Sequence, residues 1–364
     1  MRFKHKTVIF IRSLHKGGAE KQAILLCKGL IDKGVDAMLI VLYEEGDLLE
    51  YAKLILKKDQ LIFIKNGNLL KKAFHFKFLL RKLQVHSIVC FLPVNNIIGI
   101  LSAGIVGVPT IVGGIRGSKI KDSKLKMKLQ KVLFNRFSTA IVSNSFKGRE
   151  VYQAYGIDPK KMRTIHNGFP VETFKTNSKR NISKIQILSV GRFVEEKDYN
   201  TAILTISYLK KLLQGHQIDW EYTIIGYGTL ENNIRELIET HCLGKEINLI
   251  INPPNIKKYY SVSDIFLMTS RFEGMPNAVM EAMSFKLPVV CTKAGDTDYL
   301  VSENFNGFLK PIGDWKNLAE SLKILMFSPS LRIEMGYNGR TRLVNRFGVD
   351  LMVEKYLNLL QENV

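Results

Sequence analysis

Short β-branched or aromatic runs recur along this chain, separated by segments long enough for a helix, and the pattern occurs twice. TVIFI (7–11), VDAMLIVLY (35–43), LIFI (61–64), SIVCF (87–91), TIVGG (110–114) and TAIVS (139–143) mark the first half, with helical stretches such as EKQAILLCKGLIDKG between them. QILSV (186–190), EYTIIG (221–226), INLII (247–251), IFLM (265–268) and PVVCT (288–292) repeat it in the second. Strand runs alternating with helix-length segments specify open parallel sheets covered by helices on both faces. The expected fold class is α/β, with two Rossmann-like domains. A chain of 364 residues, 46% hydrophobic, is long enough for two cores of ordinary size. The polar stretch VETFKTNSKRNIS, Val171 to Ser183, breaks the alternation and is the expected linker. Domains are expected over 1–175 and 176–345, with a last helix over 346–364 that is apolar on one face around VEKYLNLL and packs back on the body.

The strongest rival to a globular reading is the uncharged run from Ser87 to Ile115, since a membrane span needs about 20 largely apolar residues. Pro93, Asn95, Asn96, Gly104, Gly107 and Pro109 cut it into strand, short helix and strand, the form of a buried parallel-sheet unit. At the N-terminus only VIFI follows MRFKHKT before Arg12, whereas a cleavable signal needs about 7 to 15 apolar residues, so a first strand is expected there. Cys27, Cys90, Cys242 and Cys291 are far apart, with no CxxC pair and no His at zinc spacing. Neither a disulfide framework nor a metal cage is indicated, and a reducing cytosol is the expected home.

The net charge of +20 is lopsided. Residues 1–175 carry 31 Lys plus Arg against 12 Asp plus Glu, a net of +19, and the remainder has 22 against 21. Two basic stretches concentrate it. LLKKAFHFKFLLRKL sets Leu69, Ala73, Phe76, Leu80 and Leu83 on one stripe, with Lys71, Lys72, Lys77, Arg81 and Lys82 largely elsewhere. KIKDSKLKMKLQKVLFNRF aligns Leu125, Leu129, Val132, Leu133 and Phe137, with Lys124, Lys126, Lys128, Lys131 and Arg136 around them. Either alone reads equally well as a helix covering the sheet with a solvated basic face. Together they point to an anionic surface such as an acidic membrane leaflet, where each Lys or Arg adds about 1 kcal/mol.

Glycine-rich turns from strand to helix bind phosphate because free backbone N–H groups and the helix dipole face the anion. Three follow strand runs here: GGAEKQ (Gly17, Gly18), GRFVEEKD (Gly191, Arg192, Lys197) and GYGTLE (Gly226, Gly228). GYGTLE lacks the third glycine of the dinucleotide fingerprint, which argues against NAD. The most telling stretch is RFEGMPNAVMEAM (271–283), which puts Glu273 before a Gly-Met-Pro turn and Glu281 eight positions later inside a helix. Pro276 fits a first helical turn, so the amides of Gly274, Met275 and Asn277 cluster at a helix start. Ionised carboxylates only accept hydrogen bonds. Two of them flanking an anion site suit a ligand with phosphate in the middle and hydroxyls at both ends, which is the form of a nucleotide sugar.

Taken in order, GGAE at Gly17, GR-x-x-x-x-K at Gly191 to Lys197, GYGTL at Gly226, the spaced acids Glu273 and Glu281, and NGFL at Asn306 to Leu309 resemble the family 4 glycosyltransferases of the GT-B fold. The similarity spans nearly the whole chain. It implies two Rossmann-like domains facing across a cleft, the C-terminal one holding the donor, a UDP-sugar above others. It implies that Arg192 and Lys197 contact the donor diphosphate, Glu273 the sugar hydroxyls, Gly274, Met275, Pro276 and Asn277 the phosphate or sugar through backbone groups, and Glu281 the ribose. Gly17 and Gly18 would let the acceptor domain approach the phosphates. The resemblance further implies retention of anomeric configuration, no metal or other cofactor, and a lipid-linked or surface-glycan acceptor in polysaccharide synthesis, with the enzyme peripheral on the inner face of the cell membrane.

Other readings compete at each point. Arg192 and Lys197 could pair with Glu195 or Glu196, and Glu281 could cap locally. His15 could serve the acceptor side, although packing into its turn is the stronger expectation. Arg116, after TIVGG, could face the cleft or form a structural salt bridge. His166 reads as structural. Asp296 and Asp298 form the Asp-x-Asp that holds a metal in the other major glycosyltransferase fold, but Asp296 as a helix cap is simpler. Other functions are a sugar-metabolism enzyme or nucleotide-sugar epimerase of the same fold, and a nucleic-acid-binding module. The last would suit the charge, but no nucleic-acid motif is found, and no nucleic-acid partner is expected.

Overall fold

The computed structural model describes residues 3–15, 17–64, 67–117, 123–170 and 184–362. The expected linker, Val171 to Ser183, lies outside them, as does the start of the second basic stretch. The chain divides into two compact units, Met1–Gly168 with Phe347–Val364, and Phe169–Arg346.

In the first unit every strand-to-strand connection is helical. The order is β1 (Phe3–Ile11), α1 (Gly18–Asp32), β2 (Val35–Val41), α2 (Leu49–Ile55), β3 (Leu61–Phe63), α3 (Leu69–Lys82) and β4 (Ser87–Cys90). It continues with α4 (Pro93–Val106), β5 (Thr110–Ile115), α5 (Lys124–Phe137), β6 (Ala140–Ser143), α6 (Phe146–Ala154) and β7 (Met162–Thr164). The strands form one parallel sheet, β3-β2-β1-β4-β5-β6-β7. Ile9 of β1 pairs with Leu39 on one side and Val89 on the other, so the most apolar strands are central. Buried side chains of α1 and α2 cover one face, and those of α3, α4 and α5 cover the other, with Phe10, Phe76 and Phe134 among its largest.

The uncharged run Ser87 to Ile115 is therefore β4, α4 and β5. Gly107, in the left-handed region at φ +80°, ends α4 and sends the chain into β5. No helix among the described residues is long and apolar enough to cross a membrane.

The second unit repeats the plan with β8 (Ile185–Val190), α7 (Tyr199–Leu212), β9 (Trp220–Gly226), α8 (Glu231–Thr240), β10 (Ile247–Ile251) and α9 (Lys257–Val262). Then come β11 (Ile265–Met268), α10 (Asn277–Ser284), β12 (Val289–Thr292), α11 (Thr297–Leu300), β13 (Gly307–Lys310), α12 (Trp315–Phe327) and α13 (Pro329–Phe347). Its parallel sheet runs β10-β9-β8-β11-β12-β13. The last helix, α14 (Val349–Gln361), belongs to the first unit, where Val353, Tyr356 and Leu360 enter the core beside α1.

Three details differ from the sequence reading. β7 and β13 are short strands with charged or glycine residues, MRT and GFLK, which periodicity does not mark. Lys72 is not on a solvated face. It is buried, with Nζ donating to the Leu42 carbonyl at 2.8 Å and standing 4.5 Å from the Tyr43 ring centroid. On α5 the buried face is Met127, Gln130, Leu133 and Phe134, whereas Leu125, Leu129 and Val132 are exposed. An amphipathic count alone could not choose between the two stripes, because both are apolar.

Candidate active site

A doubly wound parallel sheet reverses its strand order at one point, and the loops leaving the carboxyl ends of the two strands there part to form a crevice. In the second unit this point lies between β8 and β11. GRFVEEKD leaves β8 and TSRFEGMPN leaves β11, so the two most informative motifs arrive at the same place from positions some eighty residues apart.

Side chains tie the two loops together. Lys197 Nζ donates to Glu273 Oε1 at 2.6 Å, and Ser270 Oγ donates to the same oxygen at 2.7 Å. Thr269 Oγ1 donates to the Asp198 carbonyl at 3.0 Å, and the Arg271 amide donates to the Glu196 carbonyl at 2.8 Å. Arg271 Nε donates to Asp198 Oδ2, also at 2.8 Å. Asp198 takes a left-handed backbone, φ 48°, which Asp tolerates better than most residues because its short side chain bonds locally. It does so here by accepting from the Thr201 amide at 3.3 Å, starting α7. Lys197 and Glu273 are mostly buried, their side chains 21% and 12% exposed.

Glycines let the strands converge beneath these loops. A Cβ on Gly226 would collide with the Gly191 carbonyl and with the Phe193 ring. The Gly191 carbonyl also accepts from Tyr199 OH at 3.0 Å. Arg192, next in sequence, is exposed and makes no ion pair among the described residues. Neither it nor Lys197 is seen paired with Glu195 or Glu196.

Pro276 stands one residue ahead of its expected place in the first helical turn. Its ψ of 109° is still extended, so α10 starts at Asn277. No side chain caps this helix, and Gly274, Met275, Pro276 and Asn277 lead into it. Glu281 lies one turn in, where Tyr260 OH donates to its Oε2 at 3.0 Å. Burial holds the Tyr260 phenol well above its ordinary range, and the Glu281 carboxylate pushes the same way. Burial raises the Tyr199 phenol too, with Tyr222 and then Glu273 adding to the shift. Both tyrosines are therefore neutral donors that organise carboxylates and backbone.

The Asp-x-Asp pair does other work. Asp296 is buried at the N-cap position of α11, as expected, although its side chain makes no capping bond; its amide donates to the Gly274 carbonyl at 3.0 Å, bracing the turn. Asp298 pairs with Lys293 at 3.2 Å in an exposed position. Among the described residues no group of three or more His, Cys, Asp or Glu is placed to hold a metal ion.

The remaining candidates lie in the first unit. Gly17 precedes α1 in extended backbone, and Gly18 begins that helix. His15 does not pack into its turn. Its ring is 59% exposed, with Nε2 3.5 Å from Glu45 Oε1. Arg116, just past β5, forms no salt bridge among the described residues. Its guanidinium lies 3.8 Å from the Phe91 ring centroid and donates to Tyr356 OH at 2.7 Å. His166 is buried, edge-on to Phe146 at 5.0 Å between ring centroids.

Asp198, Thr269 and Arg271 escaped the sequence reading, as did Tyr199 and Tyr260. Arg271 and Asp198 sat inside quoted motifs and could have been suspected as an ion pair. Nothing in the sequence signals Tyr260, which reaches Glu281 from a different helix.

A cation and two carboxylates around an uncapped helix start, at the switch point of a doubly wound sheet, have the chemistry to take a small molecule with an anionic part and a hydroxylated part. The comparisons with known proteins agree with that class. Residues 16–173 match the model for Glycosyltransferase Family 4, and residues 171–342 match that for glycosyl transferases group 1. The UDP-Gal:alpha-D-GlcNAc-diphosphoundecaprenol alpha-1,3-galactosyltransferase of Escherichia coli is 27% identical over 73% of this chain and 72% of its own length. The amylovoran biosynthesis glycosyltransferase AmsK of Erwinia amylovora is 31% identical over 57% of this chain and 52% of its own. Among solved structures, Anabaena HepE in complex with UDP superposes with a TM-score of 0.80 at 17% identity, covering 98% of this chain and 100% of that one. The chain belongs to the family 4 glycosyltransferases of the GT-B fold.

Proposed function

We propose that this glycosyltransferase moves a sugar from a UDP-sugar to a lipid-linked or surface-glycan acceptor in bacterial polysaccharide synthesis, at the cytosolic face of the membrane. The observation that carries the donor reading is the Lys197–Glu273 bond at the switch point, with Glu281 one turn into α10. The names of the E. coli and Erwinia relatives, and the UDP in HepE, support the choice of donor and acceptor class.

In this reading Lys197 and Arg192 neutralise the diphosphate, and the first amides of α10 add their partial charge. Glu273 turns to the sugar hydroxyls as Lys197 turns to phosphate, and Glu281, held by Tyr260, accepts from the ribose. Gly17 is extended at φ −136°, and a Cβ there would collide with the Glu20 carboxylate, so its missing side chain makes room for Glu20 at the start of α1. Transfer proceeds with retention. The bond from the anomeric carbon to the diphosphate oxygen breaks, the acceptor oxygen bonds on the same face, and its proton passes to a diphosphate oxygen. No metal takes part.

Thermal melts with UDP-, GDP- and ADP-sugars test the donor. A ligand at about 100 times its Kd stabilises by about 2.7 kcal/mol, so a rise in Tm with the UDP series is expected. No shift with any of the three, in protein that is folded, would refute the site. Chelator should leave turnover unchanged in the native chain and in Asp298→Ala alike; loss of activity in chelator would show that a metal is required.

A further inference from the structure

The face of the first unit built from α3, α4 and α5 has a surface that sheet-covering helices do not need. Leu70, Phe74 and Phe78 recur at i, i+4 and i+8 on α3 and are 80%, 63% and 62% exposed. They are distinct from Phe76 and Leu80, which fill the core. On α5 Leu125 and Val132 are 78% and 55% exposed, and between the two helices α4 presents Ile105 at 64%. All three helices cover the same face of the sheet, and α4 lies between its neighbours in sheet order, so their outward sides are continuous. Exposed cations are interleaved with the apolar residues: Lys71, Arg81 and Lys82 on α3, and Lys128 and Arg136 on α5. None of the three helices contains an Asp or Glu.

We infer that this face is the membrane-docking surface, lying on an anionic leaflet with Leu70, Phe74, Phe78, Ile105, Leu125 and Val132 entering the acyl boundary and the lysines among the headgroups. The inference rests on the membrane location proposed above and gives it a place and a mode of contact. Charge complementarity selects the occupant. A second copy of the chain would bring like charges face to face across an isologous contact. A nucleic acid would match the cations and could stack on Phe74 and Phe78, but it would leave Leu70, Ile105, Leu125 and Val132 facing water. A leaflet satisfies both components, because apolar insertion and attraction to acidic lipid act together at an interface.

Co-flotation of the full chain with vesicles of phosphatidylethanolamine and phosphatidylglycerol, against phosphatidylcholine alone, tests this. Two variants separate the contributions: Phe74→Ser/Phe78→Ser/Leu125→Ser, and Lys71→Glu/Lys82→Glu/Lys128→Glu. The native chain should float with the acidic vesicles, and part of that binding should survive about 1 M salt, where charges are screened beyond ~3 Å. The apolar variant should lose the salt-resistant part, and the charge variant should lose the preference for acidic lipid, each lowering partition by about tenfold or more. Both should keep the native Tm and its response to UDP-sugar, which separates failure of docking from failure of the donor site. Native partition in both variants overturns the proposal, as does no binding of the native chain to either vesicle. So does a dimer, or an oligonucleotide complex, that the apolar variant abolishes.

Discussion

Lys197 and Glu273 bond to one another, so neither is left as an unpaired ion in a mostly buried place. Replacing Lys197 by Ala is expected to lower kcat/KM by about 100-fold, the usual scale for removing a group that stabilises developing charge. Steady-state turnover with the accepted UDP-sugar measures it. Glu281→Ala should act mainly on KM, by about tenfold, as expected for losing hydrogen bonds to a charged group. Full activity in both variants would remove the site. Tyr260→Phe keeps the ring in its stack with Phe285, 5.6 Å between centroids, but removes the donor to Glu281. A KM several-fold higher with kcat little changed is expected. Both acids and the lysine were legible in the sequence because their spacing around a Gly-Met-Pro turn and a glycine loop has few other uses. Tyr260 was not, since its role depends on where α9 lies and no local pattern records that.

At the level of elements, the loop after β8 is useful only if it keeps its distance from the loop after β11. Asp198, Thr269 and the Arg271 amide supply that constraint. Arg271→Ala removes the cation beside a buried carboxylate, but the arginine is half exposed and its attraction is screened. The stability loss should be about 1 kcal/mol, read as a fall in Tm. The expected mark of a positioning role is a larger effect on kcat than on donor binding, partly restored by Arg271→Lys; no loss in either would assign the pair to surface chemistry alone. Elements such as α1 and β9 were readable from their apolar runs, and α4 from the Pro93 and Gly107 that bound it. β7 and β13, three and four residues long, were not, because register against a neighbouring strand makes them strands. α5 teaches the converse lesson. Two apolar stripes run along it, and only its seat on β5 and β6 decides that Phe134 faces inward and Leu125 outward.

At the scale of the whole molecule, each unit closes its core with neutral groups whose ionisation it resists. Tyr199, Tyr222 and Tyr260 in the second unit, and Tyr356 in the first, all have phenols raised by burial above the ordinary value of 10. A raised folded value means that the unfolded chain loses these protons first. The contribution is complete below pH 10 and is lost as the pH rises above it. Tm should therefore fall steeply above pH 10, and a flat profile there would contradict the buried phenols. The charge asymmetry, +19 in residues 1–175, was visible by counting, yet counting could not say that the cations on α3 and α5 share their outward faces with Leu70, Phe78 and Leu125. By itself the sequence determined the α/β class and the two sheets and marked out the candidate residues of the glycine loop and the Gly-Met-Pro turn, because strand period, glycine turns and acid spacing are local properties. Only the tertiary structure decided which side chains meet at the switch point and which apolar stripe faces out, because contact and burial depend on neighbours distant in the chain.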